Sequence, residues 1–554
     1  MSRPSHARAT AALVLALVAV VLAGCAAIPT SGPVERVEDE AGLGESTVRY
    51  MPAGPTRDAT ETQIINGFLD AMLAYPVTHR VAAEYLTPEA AQEWRPGDAT
   101  TVYTRAEVFS VSVGSGWIDL ATESRLDAQG RLRGSGGSQR IDIELERIDG
   151  QWRISTPPDG VLVNTGWFED YVRSFDLFFL DESGSHLVPV PVHEVVGDQL
   201  ATSLMASLAL GPGRGSPGLT TAVPDASTLR ASVPVVDGVA EVDFSAPVGE
   251  MSVAAQRRLS AQVAWTLRQV PVVTDVRISG SGTVIAPSGD AVQDASGWAS
   301  FGPDKSRRWV FVTAGGRVHQ VGLRSRRPMP GTWGDDDQDA AMVTASEDRA
   351  AAVWADRARV SSATGSNPVD ISGDGFLRPV IDIDQKTWLV DRPGDRTRIR
   401  VHDGASIVLV PATGLDGLSS FAVSPDGARY AATSGGRLLV GGIERREGRI
   451  VSLARPRVLR TQDPARQVVW VDGSRVAHLG PAGTQVRSVR IDGTDPVDAW
   501  PGGGQLLPDI EPVGLVATTA ARSDLYLIDA EGEVWVLDRT RWVPVDVPQA
   551  RGIA

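Results

Sequence analysis

Few residues in this chain could do chemistry, and one stands apart. Cys25 is the only cysteine in 554 residues, so the chain can form neither an internal disulfide nor a thiolate metal cluster. It closes the run Leu22-Ala23-Gly24-Cys25, which follows Arg3, His6 and Arg8 and an unbroken apolar stretch from Ala11 to Ala23. A charged n-region, a short apolar h-region and a small-residue cleavage site read together as an export signal. At about 1.5 Å per residue that apolar stretch reaches roughly 20 Å, short of the ~30 Å hydrocarbon core, so a permanent spanning helix is the poorer reading.

The tetrapeptide resembles a bacterial lipobox, with Leu22 at −3, Ala23 at −2 and Gly24 at −1. That resemblance implies cleavage between Gly24 and Cys25, a diacylglyceryl thioether on the Cys25 sulfur and acylation of the new amino group. Each buried methylene contributes about 0.8 kcal/mol, so two or three acyl chains hold a protein on a bilayer almost permanently. No later apolar stretch approaches membrane-spanning length. The mature chain is therefore expected as a soluble body tethered to the extracytoplasmic face of the cell membrane. An ordinary secreted protein with a stray thiol is the alternative.

The remaining candidates lack partners. The histidines are His6, His79, His186, His193, His319, His402 and His478, and only His186 and His193 are neighbours. They bracket an expected strand and read as solvated or hydrogen-bonded imidazoles rather than ligands. No HExxH is present. The Gly211 to Gly218 segment looks like a phosphate-cradling loop, but it leaves a helix, carries Pro212 and Pro217 and has no Gly-Lys-Ser/Thr, so it reads as a helix C-cap and connector. The Asp335-Asp336-Asp337-Gln338-Asp339 run lacks the glycine and glutamate placement of a calcium loop and reads as a solvated turn. No Gly-x-Ser-x-Gly elbow occurs. The sequence thus supplies no catalytic, cofactor-binding or metal residues and implies no cofactor.

Net charge is −15, opposite to what a phosphate backbone attracts, which argues against nucleic acid as a partner. Lysine occurs only at Lys305 and Lys386 among 53 basic residues. That arginine bias resembles chains from GC-rich actinobacterial genomes.

The elements expected to carry this chemistry fall into segments. Residues 1–24 are the signal peptide and 25–55 the lipidated cysteine with a Pro-, Gly- and Ser-rich tether. Residues 56–165 open with Thr60 and Gln63 at capping-box spacing ahead of Ile64, Ile65, Phe68, Leu69 and Met72, an amphipathic helix. Shorter helices follow at Val81 to Leu86 and from Thr87-Pro88. The period then changes to two at Phe109, Val111 and Val113, and at Ile141, Ile143 and Leu145, and Asp149-Gly150 turns the chain back. Helices before an antiparallel sheet indicate an α+β domain, with an NTF2-like cone in view.

Residues 171–288 read as ββαββαβ, a second α+β domain whose Asp237-Gly238 hairpin buries Ala240, Val242 and Phe244. Residues 294–550 are strand-rich, with Trp309, Trp354, Trp388, Trp470 and Trp535 near expected strand centres. Phe421 to Gly427, followed by Ala428 to Ala432, is a strand, tight turn and strand of the kind found in propeller blades, and Trp298 to Asp304 looks like a degenerate copy. An all-β propeller of five to seven blades is expected, with two stacked sandwiches as the alternative.

The second segment, with Gly211-Pro212 closing its first helix, resembles the GerMN domain of germination and sporulation proteins. The whole order of lipobox, α+β domain, GerMN-like domain and propeller resembles the actinobacterial LpqB lipoproteins. Only Cys25 carries over with a defined role. The resemblance implies an accessory of the MtrA–MtrB two-component system, one that contacts the extracytoplasmic sensor domain of the histidine kinase MtrB and modulates signalling in cell-envelope homeostasis and division. The N-terminal or GerMN-like domain is expected to make that contact. Two other readings stay open. One is a cell-wall glycan or peptidoglycan binder or processing enzyme using the propeller channel, and the other is a lipoprotein-assembly scaffold.

Overall fold

Thr60 starts the first helix as the spacing requires. Its hydroxyl accepts from the Gln63 backbone, 3.3 Å, and the Gln63 carboxamide accepts from the Thr60 N–H, 2.8 Å. Such a reciprocal cap contributes about 1 kcal/mol. The computed structural model describes residues 49–554, apart from 214–215, 217, 304–308, 323–324, 336–339, 395, 462, 481–484, 495–509, 519–523, 539–540 and 548. Within the expected tether the chain is already held at Tyr50, which pairs with Tyr75.

In the first domain α1 (Glu61–Ala71), α2 (Arg80–Ala83) and α3 (Pro88–Glu93) precede β1 (Ala99–Ser112), β2 (Ser115–Asp127), β3 (Leu132–Ile148), β4 (Gln151–Ile154) and β5 (Val161–Asn164). The sheet order is β4-β3-β2-β1-β5, antiparallel except that β5 runs parallel to β1. Alternation puts Ile118, Leu120, Ile143 and Leu145 on the face that packs against Ile64, Ile65 and Phe68 of α1. A short helix not evident in the sequence, α4 (Thr165–Tyr171), is capped by Asn164 and leads into the second domain.

The second domain has the expected ββαββαβ order with short additions. β6 (Val172–Asp181) and β7 (Leu187–Val195) form a hairpin, α5 (Leu200–Ala209) follows, and β8 (Leu219–Thr220) pairs with β6. β9 (Val235–Val236) turns through Asp237 and Gly238, φ +50° and +82°, into β10 (Val239–Phe244). After α6 (Val253–Leu267), β11 (Asp275–Gly280) lies parallel to β10, with β12 (Thr283–Val284) and β13 (Val292–Asp294) antiparallel to it. Both sheets and both helices share one core, including Phe179, Leu204, Leu259 and Ile278. Trp298 belongs to this core and its carbonyl accepts from Trp265 Nε1, 3.0 Å. The Trp298 segment is therefore no blade turn, and the packing of the second domain runs past residue 288, because β13 pairs with β11 and Trp298 joins the shared core.

Beyond it the described residues form six consecutive sheets, most of four strands. The strand Ala550–Ile553 pairs with Val310–Ala314 in the first sheet, so the last strand closes the ring. Six apolar clusters fill the spaces between successive sheets. Closure removes the edges that an open sheet of this size would expose. Phe421 to Gly427 forms the expected hairpin: Asp426 accepts from Ser424 Oγ, 2.6 Å, and Ala428 N, 2.8 Å, while Gly427 takes φ +70°. The tryptophans are not equivalent. Trp388 and Trp535 lie within strands and each donates its indole N–H to an aspartate six residues earlier, Asp382 at 2.9 Å and Asp529 at 2.8 Å. Trp470 ends a strand, and Trp309 and Trp354 flank strands, so the expectation of a strand-centre repeat fails for three of the five.

Candidate functional site: a polar junction of three domains

The β6–β7 hairpin of the second domain is where all three domains meet, and its geometry begins with α6. Among the described residues one edge of β6 has no strand partner around Asp176 and Phe178. Side chains of α6 and the residues after it take that role. Gln262 Nε2 donates to the Phe178 carbonyl, 3.0 Å, Thr266 Oγ1 accepts from Phe178 N, 3.2 Å, and Gln269 accepts from Asp176 N, 2.9 Å, and donates to its carbonyl, 2.7 Å. A buried strand edge must satisfy its backbone groups in this way. Prolines 189 and 191 sit on β7, an edge strand, where a missing N–H is tolerated.

So positioned, Asp176 faces the propeller. Its carboxylate accepts from Arg490 Nη2, 2.8 Å, and from Ser474 Oγ, 3.0 Å. Burial raises the Asp176 carboxyl above the ordinary carboxylate range, against the pull of Arg490, and Asp472 adds to the rise. Burial also works against the Arg490 charge, but Asp176, Asp492 and Asp472 around it outweigh that and hold its pKa above the usual value. Pro189 packs so closely on Gly473 that a Cβ there would lie 2.5 Å from the ring.

His186 and His193 are both buried in this junction rather than solvated, which corrects one half of the expectation. His186 Nε2 lies 3.9 Å from Asp384 and His193 Nε2 lies 3.8 Å from Asp492, both on the propeller. Burial lowers the His193 pKa, with Asp492 opposing. Neither belongs to a metal set, and among the described residues no group of three His, Cys, Asp or Glu side chains could hold an ion.

The first domain enters through the turn between β2 and β3. Gly130, φ +70°, accepts from His193 N, 2.8 Å, and a Cβ there would lie 2.4 Å from the His193 carbonyl oxygen. Gln129 Nε2 donates to the Ser207 and Gly211 carbonyls, both 2.9 Å, and Arg131 donates to the Pro212 and Gly211 carbonyls, 2.6 and 3.2 Å. Arg131 thereby places a cation at the C-terminus of α5, where the orphan carbonyls and the helix dipole favour one. Gly211, φ +78°, with its N–H on Leu208 O, closes α5 as the connector reading expected. Asp335 ends a short helix, and the Asp336 to Asp339 part of that reading lies outside the described residues. So do Gly24 and Cys25.

A second opening runs along the propeller axis, a cavity of about 820 Å³ lined by Trp309, Phe311, Glu347, Arg378, Asp382 and Trp470 among others. Arg378, next to the innermost strand of the third sheet, donates to the Leu515 carbonyl of the sixth, 2.7 Å, across the ring. Asp382 is taken up by Trp388 Nε1 and by the backbone N–H groups of Asp384 and Lys386. Among the described residues Glu347 is the one other carboxylate side chain lining the channel, and no histidine lines it. The junction residues Asp176, Arg490, Asp492 and Arg131 carried no sequence signal, since each looks like an ordinary charge in a strand or turn.

No helix among the described residues is long and apolar enough to cross a membrane. Three family models match the chain: the LpqB N-terminal domain over residues 54–169, a sporulation and spore germination domain over 176–285, and the LpqB β-propeller domain over 316–552. Relatives named Lipoprotein LpqB include one from Cutibacterium acnes, 28% identical over 76% of this chain and 76% of its own. Another, from Streptomyces avermitilis, is 27% identical over 87% of this chain and 88% of its own. A third, from Mycolicibacterium smegmatis, is 27% identical over 81% and 82%. With its two flanking LpqB domains and the germination-type domain between them, the chain belongs to the LpqB lipoprotein family.

Proposed function

We propose that this protein is held at the extracytoplasmic membrane face by acyl chains on Cys25 and docks on the sensor domain of an MtrB-like histidine kinase, modulating its signalling in envelope homeostasis and division. The observation that carries the docking surface is on the first domain. Phe109 and Trp117, register partners on the side of the sheet away from α1, stack at 5.5 Å, and Arg140 lies 4.5 Å over the Trp117 ring. Phe109 is 40% exposed and Val113, at the neighbouring hairpin turn, 87%. Aromatic and arginine side chains presented together are the usual anchors of protein interfaces. The corresponding hairpin of the second domain is already occupied by the propeller, which favours the first domain as the kinase contact. Tethering raises the local concentration beside an integral-membrane kinase, so a weak contact suffices.

Co-purification of the kinase with the detergent-solubilised, full-length protein tests this. Trp117→Ala with Arg140→Glu should abolish recovery of the kinase while the variant stays folded, with far-ultraviolet circular dichroism like the parent's. Undiminished recovery, or binding through the propeller alone, overturns the assignment. The glycan-binding alternative draws on the aromatic-lined channel. Retention of peptidoglycan that is lost in Trp470→Ala would favour it.

A further inference from the structure

Where the β2–β3 turn, β7 and the fourth and fifth sheets of the propeller meet, they enclose a cavity of about 510 Å³. Small-molecule sites typically measure roughly 300–1,000 Å³. Its charged lining consists of Arg131, Arg133, Arg429, Arg455, Arg457 and Asp492. In a chain of net charge −15 so many guanidiniums in one cavity need a balancing partner. Asp127 pairs with Arg133 at 2.7 Å and Asp426 lies 3.9 Å from Arg429. With Asp492, three carboxylates face five guanidiniums, which leaves two positive charges in surplus.

Several atoms here also lack partners. Arg455 and Arg457 make no side-chain hydrogen bond or ion pair among the described residues. Arg131 Nε is buried without a partner, although both its terminal nitrogens are engaged. Asp492 Oδ2 is buried without a hydrogen bond, with His193 Nε2 3.8 Å away, while Oδ1 accepts from Thr494 N and Oγ1, 3.0 and 2.7 Å. Burial lowers the pKa of Arg457, and the neighbouring Arg429 charge lowers it further against Asp492. Like charges therefore confront each other across a roomy space, an arrangement that an anion relieves.

We propose that this junction binds the phosphate ester of a hydroxylated small molecule, with Arg131, Arg455 and Arg457 taking phosphate oxygens and Asp492 accepting from a ligand hydroxyl. Guanidinium forks match phosphate geometry, and a phosphate monoester carries about −1.5 to −2 charges near neutrality, which matches the surplus better than one carboxylate does. All three domains line the cavity, so a bound ester ties them together and stabilises the closed arrangement by mass action.

Calorimetry and thermal melting of the full-length protein in detergent test this, with glucose 6-phosphate, glucose and inorganic phosphate as probes. Glycerophosphoinositol 4-phosphate, a deacylated headgroup that carries a phosphate monoester, separates a lipid headgroup from a soluble ester as the source without offering a bilayer to the protein's own acyl chains. Glucose 6-phosphate should bind with Kd below about 1 mM and raise the melting temperature, whereas glucose should do neither. Alternatively, binding of the deacylated headgroup alone assigns the same chemistry to a lipid. Arg455→Gln with Arg457→Gln should weaken binding at least about tenfold, with the unliganded melting temperature not lowered because the pair has no side-chain hydrogen bond or ion pair to lose among the described residues. If that pair melts early, Arg457→Lys, which keeps the charge but not the fork, should still weaken binding. Silence from both the ester and the headgroup, or unchanged binding in these variants, overturns the site. Binding of inorganic phosphate as tight as the ester overturns the role given to Asp492.

Discussion

Asp176 and Arg490, 314 residues apart in sequence, meet at 2.8 Å and join the second domain to the propeller. The pair exists because Thr266 on α6 and Gln269 just after it fix the β6 backbone at Phe178 and Asp176. Arg490 then sits among three carboxylates, Asp176, Asp472 and Asp492. The junction is thus a charge cluster in which the cation holds together groups that would otherwise repel.

Removing the cation should cost more than removing one anion. Arg490→Leu leaves three buried or half-buried carboxylates without their common partner and should destabilise by about 3–5 kcal/mol. Asp176→Asn leaves Arg490 with two carboxylates and should cost about 1.5–3 kcal/mol. Urea unfolding of both variants checks the order, and equal losses would contradict the cluster picture.

Close approach at the junction depends on two glycines. Gly473 meets the Pro189 ring, and Gly130, at positive φ, meets the His193 carbonyl. Gly473→Val and Gly130→Val should each push a domain off the β6–β7 hairpin while leaving the separate cores intact. Hydrogen exchange should then rise at the amides of His193 and Ser474 but stay slow at Leu177 and Leu204. Unchanged protection at His193 in Gly130→Val would count against a rigid junction.

Much of this architecture was legible because it rests on local rules. Thr60 with Gln63, the Asp237-Gly238 turn and the Ser424 to Gly427 turn each encode geometry within a few residues. The parallel pairing of β5 with β1 and of β10 with β11 was not legible, since a crossover leaves no local mark. Trp298 misled because an aromatic before Gly-Pro-Asp resembles a blade turn, whereas the core of the second domain claims the ring. The junction escaped for a different reason: Asp176, His193 and Arg490 become a site only when sheets far apart in sequence are stacked.

Anchoring makes its own prediction. Cys25→Ser removes the only thiol, hence any thioether. Radiolabelled palmitate should no longer be incorporated, and the uncleaved precursor should accumulate. A variant in which the signal peptide is also replaced by a cleavable secretory one should move to the soluble fraction, since a body without acyl chains loses about 0.8 kcal/mol per methylene of membrane affinity. Continued membrane association and palmitate uptake in Cys25→Ser would refute lipidation at this residue.

Glu194 gives the junction a pH dependence whose sign can be worked out. It follows His193 on β7, is largely buried and accepts from Ser207 Oγ at 3.0 Å, and burial raises its pKa from 4.5 to about 7. The folded state therefore binds the proton more tightly than the unfolded chain. Its contribution to stability is full below about pH 4.5, declines as pH rises towards 7 and is gone above that, a total of about 3 kcal/mol. Glu194→Gln keeps the hydrogen bond and removes the titration, so the decline between pH 4.5 and 7 should vanish and its stability should exceed the parent protein's at pH 8. His193 works in the opposite sense, because burial lowers its pKa and acidification below about 6.5 should cost stability as the ring is forced to charge. Denaturant midpoints measured from pH 4.5 to 8 separate the two: Glu194→Gln should leave only the acid-side loss, and His193→Gln only the decline towards neutrality. If Glu194→Gln follows the parent curve throughout, the carboxyl is ionised in the folded state and the buried, protonated form does not exist.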